Sequence, residues 1–322
     1  MVDAAQEPSW LQHDVPLHKL TTIGTGGPAR NFAKVETAEQ LAEALAWAGE
    51  RDLPIATVGL GSNSLISDDG FDGLAIRLAG ELAAIDIDAE TRRVVLGGGA
   101  SLAATVRLCR EAGVAGFEFA SAIPGTAGGA LKMNAGAYGS EMKDVVVRAT
   151  LVDADGLHEV TPGDLDMTYR HTNIGWDTIV ARVELQLVAG EPDAIKEKVR
   201  EFQGRRTETQ PRAARSFGSV FQNPSDAGPG APADVFVDGR LLGAGALIER
   251  AGLKGHRIGG ARISPKHGNF IENDEGGTTA DIVALIELAR AEVHERFDVL
   301  LHTEVHLLEP SGYRLLHDGT VA

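Results

Sequence analysis

The sequence predicts an α+β fold, because short apolar segments of strand length are mixed with amphipathic helices without regular β-α alternation. Two further observations support that class. No G-x-G-x-x-G lies between a strand and a long helix, so a doubly wound dinucleotide-binding half is not expected. At 322 residues, with 43% hydrophobic and 24% charged residues, the chain suits two or three packed units of ordinary globular composition.

Residues Thr37 to Glu50 read as a helix, with Leu41, Ala44, Leu45 and Ala48 on one face and Thr37 with Gln40 as a capping box. Pro54 to Val58 is a short strand that ends abruptly in Gly59-Leu60-Gly61-Ser62-Asn63-Ser64. Leu74 to Leu78 and Val94 to Leu96 are further strands, the second running into Gly97-Gly98-Gly99. Ser101 caps a helix to about Ala112, with Leu102, Val106 and Cys109 on one side. Val145 to Val152 and Leu157 to Val160 flank Asp153-Ala154-Asp155-Gly156, a hairpin signal. Ile179 to Val188 alternates as a strand, and Pro192 opens a charged helix to about Arg206. The Pro-, Gly- and Ala-rich stretch from Asn223 to Pro232 reads as an exposed loop. Thr279 to Phe297 is the clearest helix, with Ile282, Leu285, Ile286, Ala289 and Val293 in phase, and Asp298 to Leu308 closes the fold as a strand.

Charge narrows the function. Acidic residues outnumber basic ones 46 to 30, a formal net charge of −16. Such a surface repels nucleic-acid backbones and anionic membranes, so an anionic ligand needs a local pocket. The single Cys109 cannot form an internal disulfide, and no Cys/His cluster has metal-ligand spacing. Residues Met1 to Asp14 carry neither a basic nor an apolar leader pattern, and no run approaches the roughly 18 apolar residues of a membrane span. The expectation is a cytoplasmic chain without membrane insertion.

Two glycine-rich segments carry the first chemical signal. In Val58 to Ile66, small residues directly after a strand let backbone N–H groups turn inward as an anion nest. Alone, that segment is an ordinary turn. The second runs from Ile123-Pro124-Gly125-Thr126-Ala127-Gly128-Gly129-Ala130 into Met133-Asn134-Ala135-Gly136-Ala137-Tyr138-Gly139. So little side-chain bulk is costly in a core unless something large lies on the backbone, as a flat ring system and a pyrophosphate would.

Together with Pro16-Leu17, Thr21-Thr22 and Gly26-Gly27-Pro28-Ala29, these segments resemble the FAD-binding half of the UDP-N-acetylenolpyruvoylglucosamine reductase family. The family pattern continues in order through Tyr169-Arg170, Gly218-Ser219-Val220-Phe221-Gln222-Asn223-Pro224 and Ala251-Gly252-Leu253-Lys254-Gly255. Lys266-His267-Gly268-Asn269-Phe270-Ile271 and Glu304-Val305 complete it, so the match covers roughly residues 15 to 308.

The resemblance implies an FAD-binding domain of the vanillyl-alcohol-oxidase type followed by a smaller α+β substrate-binding domain. The corresponding spans are a 1–14 extension, an FAD-binding part at 15–190 with lobes at 15–78 and 79–190, a substrate part at 191–310, and a 311–322 tail. It also implies noncovalent FAD, since residues 57 to 70 lack an attachment histidine. NADPH would reduce the FAD and leave, and UDP-N-acetylglucosamine enolpyruvate would then enter the same cleft. Hydride addition at C3 and protonation at C2 would give UDP-N-acetylmuramate for peptidoglycan.

Three catalytic residues follow from the resemblance. Arg170 matches the cation that stabilises charge spreading onto the substrate carboxylate, Ser219 the proton donor to C2, and Glu304 an acid that relays protons or orients substrate. Alternation along 299–308 sets Glu304 on one face with Leu300, His302, His306 and Leu308. The cofactor contacts implied are Gly59, Gly61, Ser62, Asn63, Ile123, Gly125, Thr126, Gly128 and Gly129. For the substrate diphosphate, Asn223 matches a family contact, and Tyr138, Arg206 and Lys254 are further candidates. Thr172 and Gln222 depart from the family pattern, and the 48 residues between Arg170 and Ser219 resemble the shorter family type without an inserted lid. A related FAD oxidase and a non-catalytic nucleotide-binding module are the competing readings. The filled Arg170, Ser219 and Glu304 positions count against both.

Overall fold

The computed structural model describes residues 7–211 and 215–316; residues 1–6 of the expected extension and 317–322 of the expected tail lie outside them. The α+β expectation holds. Six α-helices are present among the described residues: α1 Ala38–Gly49, α2 Leu102–Glu111, α3 Ala127–Lys132, α4 Pro192–Thr209, α5 Ala244–Arg250 and α6 Thr279–Phe297.

The first sheet orders Leu11–Pro16, Pro28–Val35, Phe71–Leu78 and Ile55–Thr57, antiparallel at the first pair and parallel thereafter. Helix α1 buries Leu41, Ala44 and Ala48 against it, in a cluster with Val35, Leu74 and Ile76. Thr37 accepts the Gln40 N–H at 3.2 Å, but the expected reciprocal half of the box is absent. The Gln40 side chain accepts instead from the Glu36 N–H at 2.8 Å, one residue earlier.

The second sheet is fully antiparallel, in the order Gly156–Val160, Val146–Asp153, Ile179–Gln186, Arg93–Gly97, Ile85–Asp88. The Asp153–Gly156 hairpin stands at its edge. Ser101 caps α2 as expected, and Leu102, Val106 and Cys109 join Val94, Leu96, Val183 and Leu185 in one core. Burial pushes the Cys109 thiol up to about 12, so it is a packing residue, not a nucleophile.

The third unit packs α5 and α6 against a small antiparallel sheet of Arg215–Ser216, Ile271–Asn273, Ala261–Ile263 and Arg257–Ile258. Helix α6 starts at a complete Thr278/Asp281 capping box and stops at Asp298, which turns left-handed at φ 51°. The Asn223–Pro232 loop has no regular structure, yet it is tied down. Gly228 donates to Asp298 O at 2.6 Å, and Ala227 and Ala231 pack on the core.

The continuous strand expected over Asp298 to Leu308 is a correction. Only His306–Glu309 forms a ladder, while Thr303 makes an isolated bridge to Phe221. Residues before 306 run beside the irregular 218–223 segment, which offers single hydrogen bonds and no strand edge. The ladder belongs elsewhere: His306–Glu309 pairs in parallel with Ser64–Ile66 and antiparallel with Gly312–Leu315. The end of the described chain is thereby stitched to the strand that follows the first glycine loop.

Candidate active site

The chain leaves the parallel strand Ile55–Thr57 and turns at once through Gly59–Asn63. Gly61 takes φ +63°, and a Cβ there would lie 2.3 Å from Leu20 O and 2.7 Å from Thr21 Cα. Only glycine fits, which lets Thr22 donate its N–H to Gly61 O at 3.1 Å. Across the site, the second segment is held by the Ala127 N–H to Ala100 O and the Gly128 N–H to Gly98 O, each at 2.8 Å.

These two segments, 62 residues apart, lie face to face. The Ser62 hydroxyl donates to Pro124 O at 2.6 Å. A Cβ on Gly59 would stand 2.8 Å from the Thr126 hydroxyl, so the approach requires a residue without a side chain. On the second segment an added Cβ would make only ordinary contacts, with Leu102 at 3.7 Å from Gly125 and Thr126 at 3.6 Å from Gly129. Of the cofactor contacts expected from sequence, Gly61 and Gly128 are buried, while Gly59, Ser62, Asn63, Ile123, Gly125, Thr126 and Gly129 are at least partly exposed, and neither segment carries a charged side chain between Gly59 and Asn63 or between Ile123 and Ala130.

Arg170 sits at the tip of a tight turn closed by the Thr168–His171 bridge. Its φ of +57° is the left-handed conformation that costs a branched or long side chain energy and is usually left to glycine or asparagine. Its side chain is well anchored. Nη2 donates to Gly136 O at 2.8 Å, and Nε donates to Glu304 Oε1 at 3.0 Å. No partner for Nη1 is found among the described residues. Both side chains of this pair are largely buried, at 18% and 15% exposure. Burial raises the Glu304 carboxyl above its usual range, and Arg170 only partly offsets it.

Ser219 is half-buried, between the first glycine loop and the backbone of Glu304. On one side Gly218 donates its N–H to Ser62 O at 3.1 Å; on the other, Val220 O accepts the Glu304 N–H at 2.8 Å. Asn63 closes the ring, its Nδ2 donating to Glu304 O at 2.9 Å and to Met133 Sδ at 2.8 Å. The expected alternation survives without the strand. Leu300, His302, Glu304 and His306 face outward to differing degrees, and Val299, Leu301, Thr303, Val305 and Leu307 are buried. Leu308 is the exception and is fully buried, packed with Leu17, Ile66 and Phe71 in one core cluster.

The four diphosphate candidates divide. Tyr138 and Arg206 are neighbours at the second segment: the Tyr138 hydroxyl donates to Phe202 O at 2.8 Å and its ring stacks on Phe202 at 4.4 Å. Arg206 Nη1 donates to Ala122 O at 2.9 Å, beside Ile123. Asn223 instead accepts the Ala244 N–H at 3.1 Å and so caps α5, and Lys254 pairs with Glu249 at 3.2 Å. Among the described residues no hydrogen bond or ion pair joins Asn223 or Lys254 to Arg170, Ser219 or Glu304.

Two asparagines without an assigned role turn out to frame the site. Asn134, fully buried, donates to Thr168 O at 2.8 Å and accepts the Lys143 N–H at 2.9 Å, which fixes the turn that presents Arg170. Asn269 exchanges bonds with Phe221, at 2.9 Å to its N–H and 2.8 Å to its O, two residues past Ser219. The signal was a lone amide inside each small-residue or apolar run.

Family comparison decides the relationship. Residues 210–308 match the C-terminal domain of UDP-N-acetylenolpyruvoylglucosamine reductase, and residues 29–161 match an FAD binding domain. UDP-N-acetylenolpyruvoylglucosamine reductase 2 of Symbiobacterium thermophilum is 40% identical over 304 residues, 94% of this chain and 93% of the relative. The chain belongs to the UDP-N-acetylenolpyruvoylglucosamine reductase family. Another member, from Anaeromyxobacter dehalogenans, is 41% identical over 295 residues, 92% of this chain and 84% of that protein. The solved reductase from Thermus caldophilus superposes with a TM-score of 0.75 at 33% identity, covering 92% of this chain and 99% of that one. FAD, the group the reductase family uses, suits the surface built here: the paired segments are uncharged, and Gly125 and Gly129 leave room over the backbone. No helix among the described residues is long and apolar enough to cross a membrane.

Proposed function

We propose that this chain reduces UDP-N-acetylglucosamine enolpyruvate to UDP-N-acetylmuramate, a step of peptidoglycan precursor synthesis, at the cleft between the glycine segments and Arg170. The observation that carries the reading is the buried Arg170–Glu304 pair next to Ser219 at the edge of those segments. FAD, held noncovalently by Gly59–Asn63 and Ile123–Gly129, supplies the hydride when bound and is recharged by NADPH.

The chain's own residues do the rest. With Nε and Nη2 tethered, Arg170 keeps Nη1 for the substrate carboxylate and stabilises the negative charge that reaches it. A fixed guanidinium contributes more than a mobile one, because no reorganisation is needed as charge develops. Ser219 donates the proton to C2 from its position between the first loop and Glu304. Glu304, which burial holds protonated to higher pH than an ordinary carboxyl, resupplies or orients that proton. Tyr138 and Arg206 hold the nucleotide end, with Asn223 and Lys254 as more distant contributors. Residues 15–190 serve the cofactor and 191–310 the substrate, in the cytoplasm.

NADPH oxidation with and without UDP-N-acetylglucosamine enolpyruvate tests the reading. Oxidation should be stimulated by that substrate in the FAD-loaded chain and should leave a reduced sugar nucleotide. Oxidation that depends on oxygen alone would favour an oxidase and sink it.

A further inference from the structure

We propose that Tyr313 is a positioning residue for the cofactor, its hydroxyl holding the two ends of the first glycine loop in the shape that receives FAD. The proposal rests on the reading that places FAD on Gly59–Asn63. Tyr313 lies in the strand Gly312–Leu315, beyond residues 210–308 that match the C-terminal domain of the family. Its hydroxyl donates to Thr57 O at 3.2 Å and lies 3.4 Å from the Ser64 hydroxyl, which can donate to it in turn. Thr57 is the last residue of the strand that enters the loop, and Ser64 the first of the strand that leaves it. One phenol thus bridges the two ends of residues 58–63.

The tyrosine is itself held in place. It stands opposite Leu308 across the antiparallel pair with His306–Glu309, and it packs against the cluster of Ala56, Val58, Ile66 and Leu308. The His306 N–H donates to Asn63 O at 3.2 Å, so the same hairpin also grips the last loop residue. Burial pushes the phenol above its ordinary value, so the hydroxyl keeps the proton it donates to Thr57 O.

The hairpin reaches the second glycine segment as well. The Trp176 ring lies 4.4 Å from His306 and 5.4 Å from Tyr313, and Trp176 O accepts from Lys132 Nζ at 3.1 Å. Lys132 is the last residue of α3, which begins at Ala127 inside that segment. Both segments are therefore braced from one strand pair. What sets Tyr313 apart within this brace is its hydroxyl. A loop carrying Gly59 and Gly61 has much backbone freedom to lose when a ligand orders it, and fixing its ends beforehand lowers that cost.

Release of FAD from the diluted holoprotein, followed by the flavin fluorescence it recovers, tests the role. Tyr313→Phe keeps the ring and removes the hydroxyl, and it should release FAD about tenfold faster, as loss of one or two hydrogen bonds does. The visible circular dichroism of the flavin still bound should differ from that of the parent, which loss of hairpin stability alone would not produce. Arg314→Ala removes the ion pair to Glu309 within the same hairpin, at 2.8 Å, and should leave both readouts at parental values. Gly61→Ala, inside the loop, should release FAD faster as well. Parental release and spectrum in Tyr313→Phe, beside faster release in Gly61→Ala, would overturn the proposal alone. Parental values in both would overturn the placement of FAD on this loop together with it. Equal acceleration in Tyr313→Phe and Arg314→Ala would also overturn it, because hairpin stability and not the hydroxyl would then set the rate. FAD release needs no enolpyruvyl substrate, so the result is independent of the proposed reduction.

Discussion

Arg170 and Glu304 stand 134 positions apart in the chain and meet through one Nε–Oε1 contact of 3.0 Å. Each is anchored a second time by backbone: Arg170 through Gly136 O, and Glu304 through its N–H to Val220 O. The pair is therefore a rigid junction between the second glycine segment and the one carrying Ser219. Its electrostatics give a first prediction.

The Glu304 carboxyl is raised chiefly by burial, with Arg170 opposing. Arg170→Ala should raise it further, observed by carbon NMR titration of the labelled carboxyl. The sign carries to stability. A carboxyl raised in the folded state stabilises fully below its unfolded pKa, and that stabilisation is lost as pH rises through the folded value. The loss should be larger and extend to higher pH in Arg170→Ala. A carboxyl that falls instead would mean that burial is not the dominant influence.

Lys132 gives a second prediction. Burial lowers its ammonium to about 8, although it donates to Trp176 O at 3.1 Å and lies over the Trp176 ring. Lys132→Met should stabilise the protein near neutral pH by at most about 2 kcal/mol, because residual exposure screens part of the cost. A depressed folded pKa penalises the folded state below it, and the penalty disappears as pH climbs from about 8 towards the ordinary lysine value of 10.5. The advantage of methionine should therefore shrink over that window. Denaturant midpoints at neutral and alkaline pH check it.

Gly61→Ala is the third. An added methyl meets Leu20 O and Thr21 Cα, both backbone atoms that cannot swing away, on top of the left-handed φ. The expected cost is about 2–4 kcal/mol. Because the same loop faces the second glycine segment, FAD content after purification should fall with it. An alanine variant of normal melting temperature and full flavin content would show that the loop shifts freely.

What the sequence revealed follows how locally each feature is determined. Helix α6 and the Asp153–Gly156 hairpin depend on side-chain period and turn residues, and both were legible. The pairing of His306–Glu309 with Ser64–Ile66 was not, since a parallel contact over that separation is set by tertiary packing. For the same reason the run from Asp298 looked like one strand: its alternation is real, but most of it has no partner edge. The proposed catalytic trio was named through family resemblance, because nothing local marks Arg170 or Ser219. Asn134 escaped attention since its work is a bond to Thr168 O, 34 residues away.

Ser219→Ala provides the sharpest test of the chemistry. The serine is placed by two backbone bonds that its side chain does not make, the Gly218 N–H to Ser62 O and the Glu304 N–H to Val220 O. Loss of the hydroxyl should therefore leave the local structure, FAD content and melting temperature unchanged. Reduction of the bound FAD by NADPH should proceed as before, because no proton reaches C2 in that half-reaction. Reoxidation by UDP-N-acetylglucosamine enolpyruvate should slow by about 10²–10⁴-fold, the usual worth of a positioned proton donor. Ser219→Cys should recover much of the rate, as a better acid of similar size. Arg170→Lys should behave differently and weaken substrate binding together with the chemistry, since a single ammonium cannot hold Gly136 O and Glu304 and still reach the substrate carboxylate. Stopped-flow absorbance separates the two half-reactions. Near-normal reoxidation in Ser219→Ala would move the proton to another donor, and Glu304, one backbone hydrogen bond from Val220, would be the group to test next.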